Sequence, residues 1–381
     1  MNYKRIFLIL FLMLGVFTGC KSSEMEKLNK EAYGFYEAKD FTKALELYTQ
    51  AIEKFPEYSD FYANRGLAYY DGGQVDLGIA DLDKAIELST KNPLAYANRA
   101  YVNLGLGYNN SALEDLQKAL KYKDQLESED ALYSVYLNMG TVKNNIDQKE
   151  DALTWYDQAI KLRDDDPSVY NAKGMVLLDL EKYEEAMNNF NKAIDLNQFY
   201  GYAYGNRASL YMIQKKYDIA LADVNTGIEV DSEIPQLYAI KGQILTAMGQ
   251  TQSAINSYTT VLEKYPGYAD VYMLRALEYS KVEDYTDAIL DYKFAIQYGV
   301  NEGYKGLGSM FNKIGQYSDA IDSYNAYIDA VGDDLECYLE MGKIYVVMGD
   351  YDLALAEFKL ALILDPGNES ALNEINILEE K

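Results

Sequence analysis

The sequence predicts an all-α protein built as a stacked array of helix pairs. Three observations point there. The 381-residue chain aligns with itself at an offset of 34 residues. Certain columns of that alignment hold only small residues, and others are apolar at helical spacing. A fixed period of this length marks an array in which each unit buries its apolar face only against its neighbours.

The first element lies ahead of the array. Residues 1–20 read MNYKRIFLILFLMLGVFTGC, with Lys4 and Arg5 before an apolar run from Ile6 to Phe17. That run is short of the ~20 residues a membrane-spanning helix needs. A basic start, a short apolar stretch and small residues after it predict an export signal over residues 1–19. Phe17-Thr18-Gly19-Cys20 resembles the lipobox of bacterial lipoproteins. The resemblance implies that Cys20 is lipidated (palmitate among its acyl groups) and becomes the first residue of the mature chain. Phe17 departs from that family's usual leucine. An ordinary signal peptide cut nearby is the alternative. The polar stretch 20–24 is expected to be a tether. The expected location is outside the cytoplasm, on the periplasmic or cell-surface side of a bacterial membrane; Lys21 is not the aspartate that retains some lipoproteins at the inner membrane, which favours the outer membrane where there are two.

The array follows. Frames start at residues 25, 59, 93, 133, 167, 201, 235, 269, 301 and 335. Column four is Tyr in every frame after Leu28 in the first, and column eight is always Ala or Gly, from Ala32 to Gly342. Column twenty is also Ala or Gly, and column twenty-four is mostly large and apolar, as in Tyr48, Leu82, Phe190 and Phe358. Columns 4, 8 and 11 share one helical face, and columns 20, 24 and 27 another. Small residues at 8 and 20 let the two helices approach closely. Gly73-Gln74, Gly249-Gln250 and Gly349-Asp350 are expected to end the first helix of their repeats.

These columns resemble the tetratricopeptide repeat family over residues 25–368. The resemblance implies a right-handed superhelical solenoid of about ten helix-turn-helix repeats. Residues 369–381, with Leu372, Ile375 and Leu378, are expected to form a capping helix. The insertion at 121–132 is expected to lengthen the helices between repeats three and four and to divide the array there.

Arg occupies column seven in four repeats, at Arg65, Arg99, Arg207 and Arg275. Asp occupies column twenty-three in the same four, at Asp81, Asp115, Asp223 and Asp291. None of the other repeats has Asp at column twenty-three. This covariation within one chain predicts an ion pair between the two helices of each repeat. An arginine ladder for an acidic ligand is the alternative, and the matched aspartates argue against it.

The resemblance also implies a concave groove lined by columns 5, 6, 9, 12 and 13 of the first helices. Asn64, Asn98, Asn138 and Asn206 stand at column six. Some family members hold the backbone of an extended peptide with such a ladder, since an amide both donates and accepts. The other reading is that Asn is simply common at this column. Tyr33, Tyr36, Tyr70 and Tyr101 at columns 9 and 12 add amphipathic contact area. Ala63 and Ala97 stand where chaperone-binding members place groove lysines, so capture of a terminal carboxylate in that mode is not expected.

Composition excludes much else. The net charge is −25, which disfavours nucleic acid. Histidine is absent, removing the usual general base and metal ligand, and the two cysteines, Cys20 and Cys337, cannot build a thiolate zinc site. Gly105-Leu106-Gly107 and Gly306-Leu307-Gly308 lack the third glycine of a phosphate loop and are read as packing positions inside helices. No enzyme activity, cofactor, metal or small-molecule substrate is expected. The expected function is that of a membrane-tethered scaffold. It would bind a protein or extended peptide in its groove, in assembly of a bacterial envelope complex. The alternative is an adaptor that self-associates through its convex face or array ends.

Overall fold

One turn recurs ten times and organises everything else. At column fifteen of every repeat the backbone enters the left-handed region, with φ between 58° and 86° at Lys39, Gly73, Gly107, Asp147, Glu181, Lys215, Gly249, Glu283, Gly315 and Gly349. The next residue donates its N–H to the carbonyl five positions back, as Gln74 does to Tyr69 at 2.8 Å and Gln250 to Leu245 at 2.9 Å. This is the Schellman closure of a helix, which satisfies carbonyls left open by the last turn. Five of the ten positions are Gly, where the conformation is free of Cβ strain. The other five carry Lys, Glu or Asp there at a cost of order 1 kcal/mol each. Gly107 therefore belongs to a turn and not to a helix interior. Gly105 is the last residue of its helix.

The computed structural model describes residues 23–126 and 128–380. The expected leader and Cys20 lie outside these. The chain divides into two compact units at Leu196–Asn197. The first contains α1 (23–37), α2 (Phe41–Lys54), α3 (Ser59–Asp71), α4 (Val75–Leu88) and α5 (Pro93–Gly105). It continues with α6 (Asn109–Lys121), α7 (Glu129–Asn145), α8 (Lys149–Leu162), α9 (Pro167–Asp179) and α10 (Tyr183–Leu196). The second contains α11 (Gly201–Ile213), α12 (Tyr217–Val230), α13 (Pro235–Ala247), α14 (Thr251–Lys264), α15 (Ala269–Lys281) and α16 (Tyr285–Gln297). It ends with α17 (Gly303–Lys313), α18 (Tyr317–Val331), α19 (Leu335–Met348), α20 (Tyr351–Leu364) and α21 (Glu369–Glu379). Odd and even helices pair within a repeat, and within each unit the pairs stack on their neighbours. The described residues contain no strand.

The core is a chain of small clusters, most of them spanning a repeat junction. Ala208, Ala220, Val224 and Ile234 of repeat six, for example, pack with Leu237 and Ile244 of repeat seven. Column eight explains how the helices come so close. A Cβ added at Gly242 would lie 2.3 Å from the ring of Tyr258, and one at Gly342 would lie 2.6 Å from Phe358. The ring at column twenty-four occupies the space a side chain at column eight would need.

Several expectations change. The tether was expected to run to residue 24, but helix begins at residue 23. Glu24 pairs with Lys54 of α2, and Met25 packs on the first cluster, so these residues are held by the array. The insertion lengthens only one helix. Extra residues extend the start of α7, which has 17 residues, whereas α6 keeps 13 and is followed by a short 3-10 turn at Lys123–Gln125. Ser128 caps α7 by accepting from the Ala131 N–H at 3.1 Å. Leu126 packs against the cluster containing Val135 and Met139. The junction is thus filled, and the boundary between units lies two repeats later, at Leu196–Asn197. In α21, Ala371, Ile375 and Leu378 are buried, but Leu372 is exposed, to one side of that buried stripe.

Candidate functional site

In the first unit, the first helices of repeats one to three bring the tyrosines at columns 9 and 12 around one carboxylate. Tyr36 on α1 donates its hydroxyl to Asp71 Oδ2 at 2.6 Å, and Tyr101 on α5 approaches Asp71 Oδ1 at 3.4 Å. Asp71 ends α3 at column thirteen. Tyr33 lies 5.5 Å from Tyr36 between ring centroids, and Tyr70 meets Tyr101 edge-on at 5.8 Å. The Tyr70 hydroxyl sits against Gly105, where a Cβ would fall 1.8 Å from it. Tyr33 is 41% and Tyr101 42% exposed, so two broad rings face solvent while their partners hold them.

The electrostatics are acidic. Burial pushes the Tyr36 hydroxyl well above its ordinary range, and the hydrogen bond to Asp71 pushes it further. Tyr33 is raised by burial and then by Glu37 and Asp130, and Tyr101 by burial and then by Asp71. All three stay protonated at neutral pH and offer hydroxyl groups beside negative charge. Such a surface suits neutral or basic groups. Sequence reasoning placed the four tyrosines in the groove and missed Asp71. Its column lay in the groove set, but a single Asp in so acidic a chain carried no further signal.

The asparagine ladder is corrected. Asn64 and Asn98 are 6% and 8% exposed. Asn64 Nδ2 donates to Asn29 Oδ1 at 2.9 Å, and Asn98 Nδ2 donates to the Ala63 carbonyl at 3.1 Å. Each amide is engaged by the first helix of the preceding repeat, because a short side chain at column six reaches that helix before it reaches open space. Asn138 on α7 is half-buried, and Asn206 on α11 is half-buried within the second unit. The four therefore form no row of free amides.

The Arg and Asp of columns seven and twenty-three meet in all four repeats. Arg65 donates through Nε to Asp81 at 2.6 Å and through Nη2 at 2.9 Å. Arg99 holds Asp115 at 2.8 Å through both nitrogens. Arg207 holds Asp223 at 2.7 Å, and Arg275 holds Asp291 at 2.8 Å, again in both contacts. The remaining nitrogen reaches back to column twenty-five of the preceding repeat, as Arg65 does to Thr49 at 3.1 Å, Arg99 to Asp83 at 2.6 Å and Arg275 to Thr259 at 2.9 Å. One planar fork thus ties two helices of its own repeat and the previous one.

Cys337 is buried, with its N–H bonded to the Asp334 side chain at 2.9 Å. Burial and then Asp334 push its thiol up to about 12, so it is a packing residue and not a nucleophile at neutral pH. Among the described residues no group of three or more potential ligands is gathered for a metal, and no helix is long and apolar enough to cross a membrane.

Tetratricopeptide repeat models match residues 29–93, 133–166, 167–200, 240–268, 274–334 and 335–368. The chain belongs to the tetratricopeptide repeat family. Three of the matched stretches begin at 133, 167 and 335, which are frame starts read from the columns. Human serine/threonine-protein phosphatase 5 is 37% identical over 98 residues, 26% of this chain and 20% of the phosphatase. Hsc70-interacting protein 1 of Drosophila melanogaster is 30% identical over 122 residues, 32% of each chain. The chain thus matches a third or less of these relatives. The solved structure of the human IFIT1 dimer with PPP-AAAA covers 87% of this chain and 89% of its own, with a TM-score of 0.55 and 17% identity. That likeness shows the fold. A tetratricopeptide array is a protein-interaction scaffold, and its contacts come from side chains presented on preformed helices.

Proposed function

We propose that this protein is a non-catalytic scaffold, tethered to a bacterial membrane through a lipid on Cys20. It holds a protein or extended peptide on the first helices of repeats one to three and so positions it within an envelope complex. The observation that carries the binding surface is the Tyr33–Tyr36–Asp71–Tyr101–Tyr70 cluster. Its rings are pinned by one carboxylate and by each other, and two remain open to solvent. Preordered tyrosines give large contact area at little entropic cost. The lipid adds local concentration at the membrane.

The test is site-specific photocrosslinking in intact cells. A photoreactive residue at Tyr101 is expected to yield a crosslink mapped to one segment of one partner. The same residue at Leu77, exposed on α4, is expected to yield none. Tyr33→Ala with Tyr36→Ala should abolish the crosslink without unfolding the chain. An equal crosslink from both positions would remove the groove from the proposal. For the tether, Cys20→Ala should move the protein from the membrane to the soluble fraction, and an unchanged distribution would remove the lipid.

A second reading rests on the other end of the array. Leu353, Leu360 and Ile363 on α20, with Leu372 and Ile377 on α21, are exposed, Ile363 at 73%. An apolar surface of this kind favours self-association. Sedimentation that stays monomeric with rising concentration would discard it.

A further inference from the structure

Column seven holds a cation in six repeats, and in five of them that cation meets a carboxylate. Four are the arginines described above. The fifth is Lys173, which lacks Asp at column twenty-three but reaches Asp157, at column twenty-five of the preceding repeat, at 2.6 Å. Repeat seven is the exception. Its column-seven cation is Lys241 on α13, column twenty-three is Ser257, and column twenty-five of the preceding repeat is Asn225. Both places that supply a carboxylate elsewhere are neutral here, and Lys241 makes no ion pair among the described residues.

A cavity of about 410 Å³ lies at that place, between α12 and α14 and over α13. Lys241, Asn225, Asn256, Ser257 and Thr260 line it together with the ring of Tyr238, and none of its lining residues is acidic. Two of the hydroxyls are already committed. Ser257 donates to the Ser253 carbonyl at 3.1 Å and Thr260 to the Asn256 carbonyl at 3.0 Å. The donors left for an occupant include the Lys241 ammonium, the side-chain amides of Asn225 and Asn256, and the hydroxyls of Ser253 and Tyr238. In a chain of net charge −25, a half-buried ammonium facing two amides without an acid is a specific departure.

The geometry points to a carboxylate-binding site in repeat seven, in which an external carboxylate takes the place that Asp holds at column twenty-three of repeats two, three, six and eight. Lys241 supplies the charge, and Asn225 and Asn256 donate to the carboxylate oxygens. Leu221 and Leu245 at the wall receive the methylenes that carry it. The cavity exceeds a bare carboxylate and takes a group of about amino-acid size. Two sources share this chemistry: an acidic side chain of a bound protein, and a free dicarboxylate. The site lies wholly within the second unit and does not depend on the tyrosine cluster.

The test is NMR of the chain with 13C-methylated lysines, in which the Lys241 signal is assigned by its loss in Lys241→Met. The probes are N-acetylglutamate N-methylamide and glutarate, with glutaramide as the uncharged control. A saturable shift of the Lys241 signal with either acid and none with glutaramide is the expected result. Tighter binding of the blocked glutamate assigns the site to a protein side chain, and tighter binding of glutarate assigns it to a free acid; either outcome supports carboxylate recognition. Ser257→Asp supplies the missing internal partner and should weaken binding about tenfold or more while leaving the chain folded, as the same arrangement does in repeat eight. No saturation with either acid overturns the proposal. So do a Lys241 shift that is unchanged in Ser257→Asp and saturable shifts of the other lysine signals that persist unchanged in Lys241→Met, which together would place the acids elsewhere on the surface.

Discussion

Repeats seven and eight are neighbours in one unit with the same frame, yet they solve the same packing problem differently. Repeat eight closes its helix pair with Arg275 and Asp291, whose side chains are only 15% and 2% exposed. Repeat seven has Lys241 and Ser257 there and leaves a cavity. Repeat seven seats its column-twenty-four ring, Tyr258, over Gly242. Repeat eight has Ala276 at column eight, and its column-twenty-four ring, Tyr292, lies against Gly306 of the next repeat, where a Cβ would fall 2.3 Å from it. Repeat seven turns through Gly249 at φ 72°, and repeat eight through Glu283 at φ 61°. One frame therefore tolerates exchange of its polar clasp, its ring pocket and its turn residue, provided that each loss is met locally.

The clasp gives the largest expected effect. Arg275→Leu leaves Asp291 buried and unpaired and should cost roughly 3–5 kcal/mol. Adding Asp291→Leu should recover most of it. Urea unfolding of the single and double variants measures both, and a double variant no more stable than the single would show that the pair does not act as a unit.

The ring pockets come next. Gly242→Ala should cost about 1–3 kcal/mol, because the new methyl meets a packed ring with no room to turn. Gly306→Ala should cost a similar amount through Tyr292, whereas Ala276→Gly should cost only about 1 kcal/mol of helix propensity. Thermal unfolding of the three variants orders them. A mild Gly242→Ala would mean that Tyr258 moves into the adjacent cavity, joining two features now separate.

Ser257→Asp should make repeat seven resemble repeat eight and raise stability by about 1 kcal/mol, a typical gain for a charge-assisted hydrogen bond. The turn exchange is smaller. Gly249→Ala should lower stability by ~1 kcal/mol by forcing a Cβ into the left-handed region. Glu283→Gly should raise it by ~0.5 kcal/mol, since relief of strain outweighs glycine's extra chain entropy. Denaturant midpoints measure both directions.

Alkaline titration treats the two repeats alike. Burial, and then Asp291, push Tyr292 up to about 12, and burial raises Tyr258. A hydroxyl whose folded pKa is raised contributes stability below the unfolded value near 10. That contribution is lost as pH rises through the folded value. The tyrosine contribution should therefore be constant below pH 10 and fall between about 10 and 12. Ultraviolet titration should show tyrosinate from Tyr292 appearing near 12 and that from Tyr258 above its ordinary range.

Much of this was written in the chain order. The frames, the small columns and the Arg–Asp covariation follow from local spacing, because a helix places residues three and four apart on one face. Repetition then samples each column ten times, and even the missing partner of Lys241 could be read by comparing repeats. The same columns put the four tyrosines on the first helices of neighbouring repeats. Other features depended on the packed chain. Lys39, Glu181, Lys215 and Glu283 enter the left-handed region although nothing in those side chains favours it, because the stacked helices on either side dictate where the turn must close. Asn64 and Asn98 could not be sorted into groove or junction by column, since a short amide on that face reaches both, and the approach of the preceding helix decides. Asp71 became the hub of the tyrosine cluster only when three first helices, each from a different repeat, came side by side. A missing partner can be read from a sequence, but whether the space closes or stays open as the cavity over Lys241 depends on how far α12 and α14 can approach each other, and the packing of the neighbouring repeats decides that.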